Sequence, residues 1–174
     1  MKIKDIDIKI LAGLMKNSKI SDRKLADSIG VSQPTVTRRR ARLEKELSLH
    51  YTVIPDFAKL GMEIMIFHFV NWKSLTYETS GKMKDYEKRV DEFLSDHPNI
   101  IFISGGQGCG MSRIAVSIHK DYSSYVAFMQ EFNEKWGHHV GKQDTFIVSL
   151  KSDKVKRPPT FRYFADYMTS IHNP

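Results

Sequence analysis

Cysteine is scarce in this sequence: Cys109 is the only one, so no internal disulfide can form. A reducing cytoplasm is therefore the expected location, because disulfides are typical of oxidising compartments. Long apolar runs are also missing, since the stretch at Ile64–Phe67 is far shorter than the roughly 20 residues that cross a bilayer. The N-terminus carries no apolar signal region. We expect no membrane partner.

Patterns typical of metal or nucleotide binding are missing too. The seven histidines show no ligand spacing, and His138 and His139 are adjacent rather than four residues apart. The glycine-rich stretch Gly105–Gly110 misses the G-x-G-x-x-G spacing and precedes a strand, whereas a dinucleotide loop must open a helix. We expect no metal, no cofactor and no catalytic residue.

Positive charge is concentrated in one part of the chain. Residues 1–60 contain 13 Lys and Arg against 7 Asp and Glu, a net charge of +6. Residues 61–174 contain 14 against 13, a net charge of +1. A basic segment joined to a nearly neutral one predicts a part that binds a polyanion and a part with another role.

Residues 20–43 have the pattern of two short helices joined by a tight turn. Ser21 can cap the first helix, and Gly30 can end it and allow the turn. Ser32 can cap the second helix, where Pro34 is tolerated in the first turn. This is the layout of a helix-turn-helix, whose second helix enters a DNA major groove.

The second helix has a predicted buried stripe at Val36, Leu43 and Leu47, and a different face that carries threonines and arginines. Arginine forks onto guanine or phosphate, and hydroxyl groups reach phosphates or bases. Which of these side chains reads bases stays open. The residues expected to contact double-stranded DNA are Ser21, Lys24, Ser32, Gln33, Thr35, Thr37, Arg38, Arg39 and Arg42.

Flanking patterns extend this motif. Asp5–Lys16 reads as a first helix capped by Asp5, with apolar residues every fourth position. Residues 50–54 are short and β-branched, which predicts a strand and so the wing of a winged helix. Residues 1–60 are therefore a predicted winged helix-turn-helix domain.

The remainder alternates between strand and helix patterns. The predicted order is strand 64–71, a helix with a stripe at Met83, Tyr86, Val90, Phe93 and Leu94, strand 100–103, a loop at 105–110, strand 114–118, helix 122–132 and strand 146–150. This β-α-β-β-α-β order predicts a ferredoxin-like domain over residues 61–153 and an α+β fold class. Residues 154–174 are a basic, proline-containing extension that ends in a short helical tail, expected to pack on a sheet or on a partner.

Strand 64–71 is apolar on both faces, more than one layer of helices needs. We expect the other face to be buried in a second copy of the chain, which predicts a homodimer or a higher homo-oligomer.

These features resemble the leucine-responsive/AsnC-type (Lrp/AsnC) transcription regulators. Asp5–Leu11 resembles the family's opening D-x-x-D-x-x-I-L run, and Ser21–Glu44 resembles its S-x-x-x-L-A-x-x-x-G-x-S-x-x-x-x-x-R-R-x-x-x-L-E signature. Tyr51 and Thr52, followed by Pro55 and by Leu60 and Gly61, resemble its wing and hinge. The resemblance implies a transcription regulator whose second, RAM-like domain forms dimers through its sheets and could bind a small-molecule effector.

Three positions depart from the family pattern. Arg40 stands where a core-facing apolar residue is usual, and it can either place its stem along the core or pair with an acidic side chain. Leu47–Leu49 replaces the glycine-containing entry to the wing. The glycine-rich loop lacks the usual acidic residue, so any ligand is expected to differ from a simple amino acid. The candidate effector-binding residues are Gly106, Gln107, Gly108, Met111 and Ser112.

Two other functions stay open as alternatives. One is a tetrapyrrole-processing enzyme on the same architecture, although only four arginines follow residue 61. The other is an architectural DNA-binding protein of low sequence specificity. A sequence-specific DNA-binding regulator that is not an enzyme is the favoured interpretation.

Overall fold

The structure is a computed structural model that describes residues 3–73 and 80–172, the side chains of residues 80–84, 86 and 87 excepted. The chain forms two compact units, one of Met1–Ile54 with Arg157–Pro174 and one of Pro55–Lys156. The elements in order are α1 (Asp5–Lys16), α2 (Asp22–Ile29), α3 (Gln33–Glu46), β1 (Ile64–Trp72), α4 (Ser80–Asp96), β2 (Ile100–Gly108), β3 (Met111–His119), α5 (Tyr122–Trp136), β4 (Val140–Ser149) and α6 (Arg162–His172).

The first unit is a small helical domain around one apolar core. Its fully or nearly buried residues are Ile10, Leu14, Leu25, Ala26, Val36 and Leu43. The turn between α2 and α3 forms as predicted, because the Ser21 hydroxyl accepts a hydrogen bond from the Lys24 amide and Gly30 adopts a left-handed φ of 72°. The helix-turn-helix is therefore confirmed.

Three local predictions in this unit are wrong. Lys4, not Asp5, is the N-cap residue of α1, and it is the carboxylate of Asp7 that accepts from the Lys4 amide at 3.0 Å. Ser32 occupies the N-cap position of α3 as predicted, but its hydroxyl lies 2.8 Å from the Thr35 hydroxyl and makes no capping bond to a backbone amide. Leu47 is 41% exposed, since α3 ends one residue before it.

The predicted wing strand does not form. Residues 50–54 adopt no strand, and the described part of the chain offers them no pairing strand. β-branched residues favour an extended backbone, but a strand needs a neighbour to hydrogen-bond.

The C-terminal helix α6 belongs to the helical unit. Ala165 is fully buried where α6 packs on α1, and Lys16 forms an ion pair with Asp166. Within its own chain the tail therefore packs on a helix and not on a sheet, while its predicted packing on a partner stays a prediction. Much of its aromatic surface stays exposed, including Phe164 and Tyr167.

The second unit has the predicted β-α-β-β-α-β order. Its four strands form one antiparallel sheet in the order β2-β3-β1-β4. Val90 and Leu94 of α4 and Phe128, Phe132 and Trp136 of α5 cover one face. Met83 and Tyr86, which the sequence pattern also placed on this stripe, lie outside the described side chains.

The glycine-rich stretch is mostly strand, so the predicted loop at 105–110 is wrong. β2 continues to Gly108, and β3 begins at Met111. Only Cys109 and Gly110 form the turn, with φ angles of 53° and 72°. Positive φ at both central residues suits the tight turn of a two-residue hairpin, which leaves the preceding glycines free to remain extended.

Candidate DNA interface

The exposed face of α3 is the part of the helix-turn-helix available to a DNA groove. The exposed residues of α3 are Gln33, Pro34, Thr37, Arg38, Ala41, Lys45 and Glu46. Within the described ranges, the Arg38 guanidinium has no hydrogen-bond or ion-pair partner, and neither does the Lys45 ammonium. The small Ala41 lies between these two cations along the helix, so the face combines free positive charge with little steric obstruction.

Two other arginines of α3 are turned toward α1. Arg39 donates from Nη1 to Oδ1 of Asp7 at 2.8 Å, and Arg42 donates from Nη2 to Oδ2 at 3.0 Å. Asp7 is fully buried, whereas the Arg39 and Arg42 side chains are 18% and 39% exposed. One carboxylate thus binds two guanidinium groups at the contact between α1 and α3.

The buried carboxylate is held in its charged form. Burial raises the pKa of Asp7, but the hydrogen bond from the Lys4 amide and the two guanidinium charges outweigh burial and keep that pKa below its ordinary value. Asp7 therefore remains a negative charge beneath α3 at neutral pH.

This pairing limits what Arg39 and Arg42 can offer to DNA. The Nε atoms of both are buried and have no partner among the described residues. A fork that pairs Nε with a terminal nitrogen is therefore closed to an outside acceptor. One terminal nitrogen of each arginine is also already bonded to Asp7, which leaves fewer N–H donors for guanine or phosphate.

Arg40 forms a separate network between α2, α3 and the segment that follows α3. Its guanidinium donates to Glu44 at 2.9 Å and to Asp22 at 3.1 Å, and the Tyr51 hydroxyl donates to Glu44 at 2.6 Å. Hydrogen bonds from Tyr51 and Arg40 lower the pKa of Glu44. Of the two alternatives left open for Arg40, pairing with acidic side chains is the one found.

The remaining predicted DNA contacts lie near the start of α2 and of α3. Ser21 and Lys24 are exposed at the first turn of α2, and Gln33 is exposed at the start of α3. Ser32 and Thr35 bind each other, and the Thr37 hydroxyl donates to Asp22 at 2.7 Å. Lys45 is a further exposed cation that was not among the predicted contacts, although its position seven residues after Arg38 places it on the same face of α3.

The candidate effector residues divide into exposed and sheet-bound groups. Gly106, Gln107 and Gly108 are exposed at the end of β2. Met111 is 7% exposed, and the Ser112 hydroxyl donates to the Val70 carbonyl at 3.5 Å. The hairpin thus offers backbone groups and Gln107 to an outside molecule.

The described residues form neither a membrane-spanning helix nor a metal-binding group. No helix among them is long and apolar enough to span a membrane. Their His, Cys, Asp and Glu side chains form no group of three that could hold a metal ion.

Comparison with known proteins relates this geometry to a family. Residues 4–44 match the model of the AsnC-type helix-turn-helix domain. The HTH-type transcriptional regulator LrpC of Bacillus subtilis is 34% identical over 117 residues, which cover 66% of this chain and 74% of LrpC. The Bkd operon transcriptional regulator of Pseudomonas aeruginosa is 33% identical over 126 residues, or 71% of this chain and 76% of that regulator.

Similarity in structure extends over both units. The crystal structure of a transcriptional regulator from Neisseria meningitidis in complex with L-Met matches with a TM-score of 0.74 at 15% identity, covering 94% of this chain and 99% of that one. At this identity the match shows a common fold. Together with the helix-turn-helix match and the two regulators at about one-third identity, it leads to one conclusion: the chain belongs to the Lrp/AsnC family of transcriptional regulators.

Proposed function

We propose that this regulator binds specific sequences in double-stranded DNA through the exposed face of α3 and acts as a homodimer or higher homo-oligomer. The observation that carries the proposal is the division of the four α3 arginines. Arg38 is exposed and unpaired within the described residues, whereas Arg39, Arg40 and Arg42 are bound to carboxylates. A free guanidinium on the outer face of such a helix is suited to fork onto guanine.

Most of the other exposed side chains are suited to fix the position of the protein on the duplex and not to read bases. Lys24 and Lys45 are exposed cations that can contact DNA phosphates. Ser21 lies at the start of α2, where protein amide and hydroxyl groups can hydrogen-bond to the DNA backbone. Gln33 can bind an adenine edge in the bidentate manner of glutamine. Arg39 and Arg42, which the sequence placed among the contacts, serve the protein's own structure instead.

Selection of duplexes from a random library by the full chain tests the proposal. We expect the selected duplexes to have a common sequence, and Arg38→Gln to relax the selection at one or two positions. Retention of DNA without any common sequence, at physiological salt, would instead indicate the architectural alternative.

The proposed dimer uses the sheet face that α4 and α5 leave open. The strand registers align Phe102, Val116, Phe67 and Phe146 in one row across all four strands of this face. Phe102 is 52% exposed and Phe146 is 64% exposed, which is unusual for large apolar side chains. A second copy that presents the same row would bury both aromatic ends across a two-fold axis.

Sedimentation of the Phe146→Lys variant tests this interface. Because Phe146 is exposed, the change leaves the fold of one protomer intact but places two ammonium groups in the proposed interface. We expect a dimer for the parent chain and a marked shift toward monomer for the variant. An unchanged oligomeric state would place the interface elsewhere.

A small molecule is proposed to bind at the exposed end of β2, at Gly106–Gly108. The N. meningitidis structure contains L-Met, but residues 105–113 here contain no carboxylate to bind an amino acid's ammonium group. We therefore expect titration calorimetry to detect no binding of L-Met or of the other amino acids at this place. Binding at this place would be recognised by its loss in the Gly108→Val variant. Such binding would support the location and refute the expected ligand chemistry.

A further inference from the structure

The two guanidinium groups bound by Asp7 carry more positive charge than the carboxylate neutralises. Two cations share one anion, and both Nε groups are buried without a partner in the described part of the chain. Buried donors that lack a partner cost stability. A pairing chosen for stability alone would satisfy them, so the arrangement suggests another use.

We propose that Asp7 limits non-specific DNA binding by holding Arg39 and Arg42 as an internal substitute for DNA phosphate. This inference rests on the proposed function, since it matters only if α3 faces DNA. It makes Asp7 a determinant of how tightly the chain binds DNA of any sequence, although Asp7 itself touches no DNA.

The geometry supports this substitution. The contacts of 2.8 and 3.0 Å from the two guanidiniums to Asp7 are those of charge-assisted hydrogen bonds, the kind that phosphate oxygens also accept. Arg42 follows Arg38 by four residues, which places both on one side of α3. With 39% of its side chain exposed, Arg42 lies close to the surface that would meet the backbone.

The expected consequence follows from how non-specific binding arises. That binding depends almost entirely on the number of phosphates neutralised, whatever the sequence. Holding two arginines back lowers affinity for every duplex by a similar factor. The base contact from Arg38 is unaffected, so the chain is retained less tightly on random DNA while its choice among sequences still comes from Arg38.

The test measures affinity of the full chain for a random-sequence duplex as salt is raised. We expect Asp7→Asn to bind the random duplex more tightly at low salt than the parent chain. Two additional phosphate contacts would steepen the salt dependence by about 1.8 in slope per protomer, a roughly ten-fold larger loss of affinity between 50 and 200 mM salt.

Asp27→Asn is the matched control, because Asp27 is an exposed residue of α2 and its replacement changes the net charge by the same amount. Equal slopes for Asp7→Asn and Asp27→Asn, or weaker binding by a folded Asp7→Asn, would overturn the inference.

A second variant keeps the test decisive if Asp7→Asn does not fold. Arg42→Gln leaves Asp7 paired with Arg39, and we expect its salt slope on the random duplex to equal that of the parent chain. Arg38→Gln should lower the slope by about 0.9. A similar decrease in Arg42→Gln would refute the proposed role of Asp7 but not the proposed function. Absence of DNA binding by the parent chain would instead refute the proposed function.

Discussion

The helical unit and the sheet unit both bury ionisable side chains, but the one in the helical unit is charged and those in the sheet unit are neutral at neutral pH. In the helical unit, Asp7 is fully buried and ionised between two guanidinium groups. In the sheet unit, His68 and His119 are 5% and 4% exposed, and both contact the buried hydroxyl of Ser117. The first site retains its charge because opposite charges bind it, whereas the second offers imidazoles and a neutral hydroxyl.

Burial of the histidine site favours the neutral form of both imidazoles. His68 Nε2 lies 2.7 Å from the Ser117 hydroxyl, which lies 2.8 Å from His119 Nε2. Burial, with a smaller contribution from His119, lowers the pKa of His68 to about 4. Burial and His97 also lower the pKa of His119, against the opposing effect of Asp121. The two units should therefore differ in what destabilises them.

The largest expected effect is from Asp7→Ala, which leaves two partly buried guanidiniums without their anion. We expect a loss of about 3–5 kcal/mol in the free energy of unfolding of the helical unit at neutral pH. Urea unfolding followed by far-UV circular dichroism measures it. Asp5→Ala is the control on the same helix, since its exposed pair with Lys9 contributes at most about 1 kcal/mol. Equal effects of the two changes would contradict the assigned role of Asp7.

Acidification should destabilise the sheet unit first. Between pH 6.5 and about 4, unfolded His68 binds a proton that native His68 does not, so the free energy of unfolding falls as pH falls. At about 1.4 kcal/mol for each pKa unit, the whole loss is of order 3 kcal/mol. Asp7 keeps its stabilising effect throughout this window, because its pKa lies below its ordinary value of 3.8 and the effect is lost only at lower pH.

Tryptophan fluorescence isolates this loss, because both tryptophans, Trp72 and Trp136, belong to the sheet unit. In His68→Gln the side-chain amide does not titrate, so the free energy of unfolding should depend less steeply on pH between 6.5 and 4. An unchanged slope in that variant would show that another group titrates.

A smaller effect is expected from Ser117→Ala. The fully buried hydroxyl contacts two imidazoles. Its removal takes this partner from His68 Nε2, whereas His119 keeps its 3.1 Å contact to the Asn99 side-chain amide. We expect a loss of about 1–3 kcal/mol, measured by the same fluorescence. Ser123→Ala, at an exposed position of α5, should change little. A negligible effect at Ser117 would mean that the histidines do not depend on this hydroxyl.

The sequence predicted those features that depend on short-range periodicity. The helix at Asp5–Lys16 and the β-α-β-β-α-β order follow from apolar spacing, and the turn at Gly30 follows from its need for a positive φ. The wing and the glycine-rich loop were wrong for one shared reason. Whether residues form a strand depends on a neighbouring strand, which composition does not reveal.

The orientation of the arginines could not be predicted either. Successive residues of a helix point about 100° apart, so Arg38, Arg39 and Arg40 cannot share one face. Which of them turns inward depends on acidic partners distant in sequence, since 32 residues separate Asp7 from Arg39. The family resemblance identified the function, but only tertiary structure separated the free arginine from the bound ones.

The most direct test of this separation compares Arg38→Gln with Arg42→Gln on the duplex selected by the parent chain. If Arg38 forks onto a base, its loss should weaken binding by about 1–3 kcal/mol, or roughly 5- to 150-fold. Arg42→Gln removes the same charge one helical turn away and should change affinity by no more than about two-fold, provided that circular dichroism shows an intact fold. A loss in Arg42→Gln equal to or greater than that in Arg38→Gln would contradict the account.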